Sequence, residues 1–298
     1  MEILLPTHVY SNFEGYCKII DLLNPFLNST QRCDVIFNFS QLKGYDANLL
    51  PIIGVCIESK KFSHNLKYLD GSLSKQLSIL WGKNGFGSYF KINPIKDTYN
   101  STISYSIFKP DEGKQFGAYV DDHLLSNPKL PQMSSGLRKQ ISLNIQEIFG
   151  NAPMHGNCKE VLSCGQHYPS KEKLLFTIVN LGYTIQENVI EFYSSFLHKA
   201  PPDNTISWAV IEDNSTKPMI NGKSGGKGLA YLHEFIKKNS GKLQICSGNE
   251  YWESTPTGIF TKQLSSNFPG TIVTIEINLK DKNTYILKSE LENITNLF

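Results

Sequence analysis

Four polar residues recur at three- and four-residue spacing near the middle of the chain: Asn144, Glu147, Asn151 and His155. On a helix this spacing puts an acid, two amides and an imidazole in one line. No Lys or Arg belongs to that line. Such a face suits a metal–anion ligand. A solvated helix with mixed polar residues would read the same way locally, so the rest of the chain has to decide whether a nucleotide pocket exists.

Three further groups could complete one. Phe176-Thr-Ile-Val-Asn180-Leu-Gly182 reads as a buried strand ending in a polar side chain, with a glycine two positions on. That pattern lets Asn180 face a flat ligand while the backbone bends tightly at Gly182. Gly222-Lys-Ser-Gly225-Gly226-Lys227-Gly228-Leu229 leads directly into a helix. Glycine N–H groups and a helix N-terminus together suit phosphate, and Lys227 could reach one. The pattern is neither of the standard glycine-rich nucleotide fingerprints. Phe268-Pro-Gly270-Thr271 enters the last long strand, where the Thr271 hydroxyl could reach a ligand.

The elements that must position these residues follow from periodicity. Leu137, Ile141, Ile145 and Ile148 form an apolar stripe beside the polar line, which predicts a helix from Leu137. Pro153 lies within its last turns and removes a helical N–H, so a kink or an end is expected there. Strands are expected at Lys159–Gln166, Lys173–Val179, Leu243–Ser247 and Thr271–Leu279. Helices are expected at Glu187–Phe196, Thr205–Ile211 and Leu229–Lys238, with a loop over Asp213–Gly226. Upstream, a helix over Glu14–Phe26 ending before Pro25, a strand over Cys33–Phe39 and a helix capped by Asp46 alternate as in a small α/β layer. Short pieces follow at Leu66–Leu69, Leu73–Trp81 and Thr102–Phe108.

The fold class is therefore α/β (α+β) in two domains: 1–125 and 137–280. A proline-containing linker is expected at 126–136, and a tail without assigned role at 281–298. The 298 residues, 40% hydrophobic and 19% charged, are enough for two globular domains. A formal charge of +2 argues for neither nucleic acid nor an anionic membrane. No apolar run is long enough to span a bilayer and the N-terminus does not read as a signal peptide, so a cytoplasmic location is expected. The six cysteines form no Cys-x-x-Cys pair and are expected as reduced thiols. His155, Cys158, Cys164 and His167 are zinc-ligand types, but their spacing matches no common zinc module.

The order of these elements is more specific than any one of them. An acid–Asn helix, a strand with Asn-x-Gly, a glycine-rich lid into a helix and a Gly-Thr strand resemble the GHKL ATPases, which have the Bergerat α/β sandwich. The resemblance covers about 137–280, and Asn-Ala-x-x-His-Gly is nearest to the anti-sigma serine kinases. It implies ATP and Mg²⁺ as cofactors, Glu147 as general base and Asn151 as the Mg²⁺ ligand. It places His155 near the lid or phosphates, and the lid glycines Gly225, Gly226 and Gly228, with Lys227 and Leu229, around the phosphates. The adenine-reading position is Asn180 rather than the family's Asp, and Thr184 stands where a second glycine is usual. The function implied is ATP hydrolysis, or phosphate transfer to a protein hydroxyl, with an ATP-gated interaction switch as the alternative. A protein partner or substrate is implied, and a homodimer is compatible with it. Residues 1–90 resemble STAS domains in strand–loop–helix order, but Tyr45-Asp46-Ala47-Asn48 carries no serine at the junction where phosphorylatable members have one.

Overall fold

The computed structural model describes residues 1–216 and 227–295. The chain is a mixed α/β protein. Its first part runs β1 (Glu2–Leu4), β2 (His8–Val9), α1 (Phe13–Asn28), β3 (Asp34–Asn38), β4 (Gly44–Tyr45), α2 (Leu50–Lys60), β5 (Asn65–Tyr68) and α3 (Lys75–Asn84). The strands β1, β3 and β5 form a parallel sheet in the order β1-β3-β5. Asn12 caps α1 by accepting the Gly15 N–H at 2.8 Å. The helix does not stop before Pro25 as expected but continues to Asn28. Pro25 faces water, where the carbonyl it leaves unpaired can be hydrated, while buried Leu23 and Phe26 hold the last turns.

Asp46 is not a helix cap. Its carboxylate accepts from the Ser11 N–H and from the Tyr168 hydroxyl, each at 2.8 Å, and α2 starts instead through a 3₁₀ turn over Ala47–Leu49. A residue read as local is therefore a long-range tie.

The second part contains β6 (Thr102–Phe108), α4 (Gly113–Tyr119), β7 (Gln132–Met133), α5 (Ser135–Gly156), β8 (Val161–Tyr168), β9 (Lys173–Leu181), α6 (Ile185–Phe192) and α7 (Thr205–Ala209). After the gap in the described residues come α8 (Gly228–Lys238), β10 (Lys242–Thr255), β11 (Gly258–Asn278), β12 (Thr284–Tyr285) and α9 (Lys288–Thr295). One antiparallel sheet, ordered β10-β11-β9-β8-β6, organises this part. The β6 strand, expected in the first domain, is its edge. Phe108, Phe116 and Val120 pack with Ile141, Ile148 and Phe149 of α5, so the change of core falls before β6 rather than at 126–136.

The two faces of that sheet serve different cores. Leu162, Val179, Ile272 and Cys246 stand opposite one another across four strands and join the core of the first part. Their alternate neighbours, including Val161, Ile178, Val273 and Ile245, pack under α5 and α8. The strands β10 and β11 are longer than expected: the distal part of β10 is largely buried, while Gly258–Gln263 of β11 pairs with it from an exposed position. Tyr251 and Leu264 pack into the first core, and Phe13 meets the Tyr251 ring edge-on at 5.2 Å.

The expected linker and tail are structural partners. The β12 strand pairs in parallel with β7. Glu290 accepts from the Gly136 N–H at 3.1 Å and from the Ser134 hydroxyl, tying the C-terminal part to the first turn of α5. Among the described residues no helix is long and apolar enough to cross a membrane, and all six cysteines are free thiols.

Candidate functional site

Helix α5 positions the polar line. Ser134 caps it by accepting the Leu137 N–H at 3.2 Å, and Ile141, Ile145, Ile148 and Phe149 fix its rotation by burial. The helix runs through Pro153 to Gly156 and ends at Asn157, whose φ of 48° is left-handed. His155 therefore stays aligned with Asn151, and both line one cavity of about 110 Å³. Its other walls are the ends of β9 and β11, helices α6 and α7, and the start of α8, represented by Asn180, Thr271, Ile185, Trp208 and Leu229. No Asp, Glu, Lys or Arg is among the described residues that line it.

Asn180 is the most informative wall residue. It is 5% exposed and lies on the cavity. Among the described residues its side-chain amide has no hydrogen-bond partner, and its polar atoms are not among the fully enclosed unpaired ones, so they open onto the cavity. Backbone approaches on three sides seat it. Gly182 has a φ of +140°, and a Cβ there would lie 1.9 Å from the Gly156 carbonyl oxygen. That same oxygen accepts the Tyr183 N–H at 2.8 Å. A Cβ on Gly270 would fall 2.0 Å from the Asn180 carbonyl oxygen, and one on Gly156 would fall 2.9 Å from the Asn180 amide nitrogen. At Gly182 and Gly270 the clash is with backbone, so only glycine fits there.

Thr271 stands beside Asn180 in the β9–β11 register. Its hydroxyl lies 2.9 Å from the Ser247 hydroxyl. Ser247 also accepts the Ile185 N–H and donates to the Gly270 carbonyl, each at 2.8 Å. A hydroxyl has one proton, so in this network Thr271 donates to Ser247 and keeps acceptor capacity toward the cavity. Thr184 has a structural role of its own. It forms a reciprocal capping box with Glu187 at the start of α6. Asn188, which sequence reasoning passed over, donates to the carbonyls of Thr184 and His155 at 2.7 and 3.1 Å, tying α6 to α5. Its one visible trace in sequence is its place one turn after Thr184.

The remaining expected residues divide. His155 Nδ1 lies 3.1 Å from the Thr216 hydroxyl. Glu147 is not on the cavity wall. Its Oε1 accepts the Lys227 N–H at 3.1 Å, at the entrance to α8, and Gly228 packs so closely that a Cβ would lie 2.8 Å from the Glu147 Cβ. The Lys227 ammonium lies 3.3 Å from Asp213 and 3.9 Å from Glu212, and the Asp213 carboxylate raises its pKa. Its charge is thus directed to carboxylates outside the lining. Gly225 and Gly226, with most of the expected lid, lie outside the described residues.

Among the described residues no three His, Cys, Asp or Glu side chains converge as metal ligands. Burial pushes the Cys158 thiol up to about 11 and raises that of Cys164 as well, so both stay protonated at neutral pH. That leaves Asn151 as the candidate for a hard cation. Its amide lines the cavity, and Mg²⁺ accepts a single protein oxygen when ligand and water oxygens supply the rest. Comparison with protein-family models and with curated proteins finds no match for this chain.

Proposed function

We propose that the cavity binds the base of ATP, with Mg²⁺ at Asn151, and that residues 137–280 form a Bergerat-type nucleotide-binding unit of the GHKL kind. The observation that carries this reading is Asn180: a buried carboxamide, unpartnered among the described residues, on the wall of a cavity without charged lining. A flat heterocycle with polar edges would satisfy it and fill the apolar space between Ile178, Val189 and Val273. The resemblance of the α5 stripe, the Asn180–Gly182 turn and the approach to α8 points to the same ligand. In this reading the triphosphate extends from Asn151 toward the α8 N-terminus, where backbone N–H groups and the helix dipole favour anions. The first part of the chain is then a STAS-like module, with a protein as its partner.

Two outcomes of binding follow. In the first, Glu147 activates a water or a protein hydroxyl and the protein is an ATPase or a serine/threonine-type kinase. In the second, nucleotide binding is read as a conformational signal. The contact between Glu147 and the Lys227 N–H favours the second, because it holds the carboxylate at the α8 entrance. Titration calorimetry with Mg²⁺ and ATP tests the binding. The wild-type chain takes up ATP, and Asn180→Leu lowers affinity at least tenfold; no heat with the wild type refutes the reading. Radiolabelled ATP, with Glu147→Ala as control, separates turnover from switching.

A further inference from the structure

Resting on that nucleotide reading, we infer that the site does not discriminate strongly between 6-amino and 6-oxo purines, so that inosine and guanosine triphosphates are ligands alongside ATP. The reason lies in how Asn180 is held. Its amide offers one acceptor, Oδ1, and donors on Nδ2. No described protein group bonds either end, so nothing among the described residues fixes which end faces which way. The terminal torsion of Asn is broad and nearly two-fold. Gly156, with no Cβ to stand 2.9 Å from the amide nitrogen, leaves room for the turn.

A 6-amino purine presents an N6–H donor beside the N1 acceptor. A 6-oxo purine presents the O6 acceptor beside an N1–H donor. The carboxamide answers both edges with two hydrogen bonds, exchanging donor and acceptor by a half-turn. A carboxylate at the same place has no donor and cannot answer the acceptor in either pair.

The neighbours do not restore selectivity. No charged side chain is among the described residues of the lining. Asn188 is committed to the carbonyls of Thr184 and His155, and the Asn214 amide donates to the Trp208 carbonyl at 2.8 Å. Thr271, whose proton is engaged with Ser247, offers an acceptor. That acceptor suits the second N6 hydrogen of a 6-amino purine, giving a bias of one hydrogen bond. The bias amounts to no more than about tenfold, equivalent to about 1.4 kcal/mol.

The test is calorimetry on the full chain with Mg²⁺ and ATP, inosine triphosphate or guanosine triphosphate. Inosine triphosphate is the cleaner probe, because it lacks the 2-amino group. The expected result is dissociation constants for ATP and inosine triphosphate within about tenfold. In Asn180→Leu, folded by circular dichroism, ATP and inosine triphosphate lose affinity by similar factors, because one carboxamide answers both edges. A wild-type preference for ATP greater than tenfold overturns the inference and leaves the ATP reading standing. So does a loss confined to ATP in a folded Asn180→Leu. Absence of binding by every nucleotide overturns both. Should Asn180→Leu fail to fold, the wild-type ratio decides alone.

Discussion

The central sheet carries two clusters of buried polar groups, one toward the first part of the chain and one at the cavity. In the first, Tyr16 donates to Thr274 at 2.7 Å, Thr274 meets Thr177 at 2.8 Å, and Asn48 donates to Thr177 at 2.9 Å. The Ser11 hydroxyl donates back to the Asn48 carbonyl oxygen at 3.1 Å. These groups close on one another, and Gln244 Oε1 is the exception without a partner. In the second, Thr271 and Ser247 close on each other, but the amide of Asn180 does not close on any described group. A closed polar cluster specifies how two packed layers fit together. An open one beside a cavity is left for water or an entering ligand to complete. That contrast is the physical basis for placing the ligand at Asn180 and not at Asn48.

The largest effect is expected at the backbone that seats the open cluster. Gly182→Ala combines left-handed strain with overlap on the Gly156 carbonyl, and it lowers stability by about 3 kcal/mol or more. Denaturant unfolding measures it; a midpoint equal to wild type would show that the turn does not depend on glycine. Next comes the closed cluster. Asn48→Ala strands Ser11 and Thr177 and costs about 2 kcal/mol, with nucleotide affinity unchanged by calorimetry. A loss of affinity without loss of stability would reverse the roles of the two clusters.

Asn180→Leu should do the opposite. Stability stays within about 1 kcal/mol of wild type, or rises, because an unpaired amide is exchanged for an apolar group of similar size. Binding weakens nevertheless. A destabilisation as large as that of Asn48→Ala would mean that the amide is bonded within the protein. The smallest effect is pH-dependent. His167 is buried with Nε2 unpartnered, and burial, reinforced by Lys129, lowers its pKa. Just below the ordinary histidine value the unfolded chain then binds more protons than the folded one. Stability should therefore be level above about pH 6.5 and fall as pH drops through that window. The fall should be shallower in His167→Leu, read from unfolding midpoints at a series of pH values.

Much of the local architecture was legible. The 3.6-residue stripes gave α1, α5 and α8, because burial of one face leaves a periodic trace, a β-branched and aromatic run gave β3, and strand-like runs gave β8 and β9. Glycine at 182 announced a turn because no other residue accepts that backbone. What failed was partner choice. Asp46 read as a cap, since the local rule for an acid before a helix cannot register a tyrosine hydroxyl at position 168. The β6 strand read as part of the first domain, since alternation shows that a strand exists and not which strand it pairs with. The distal halves of β10 and β11 were assigned no element, since what buries Tyr251 and Leu264 is the distant first core and not a local pattern.

The sequence alone determined the α/β class, the line of polar groups on α5 and the glycine-bounded turn after Asn180. These depend on residues within a few positions of one another, where spacing is geometry. Only the tertiary structure decided that Asn180 is left unpartnered among the described residues while Asn48 is satisfied, and that Glu147 faces the start of α8 rather than the cavity. Both are asparagines or acids of ordinary local context. What separates them is which distant hydroxyl, amide or carbonyl the packed sheet brings within three ångströms, and no local pattern encodes that.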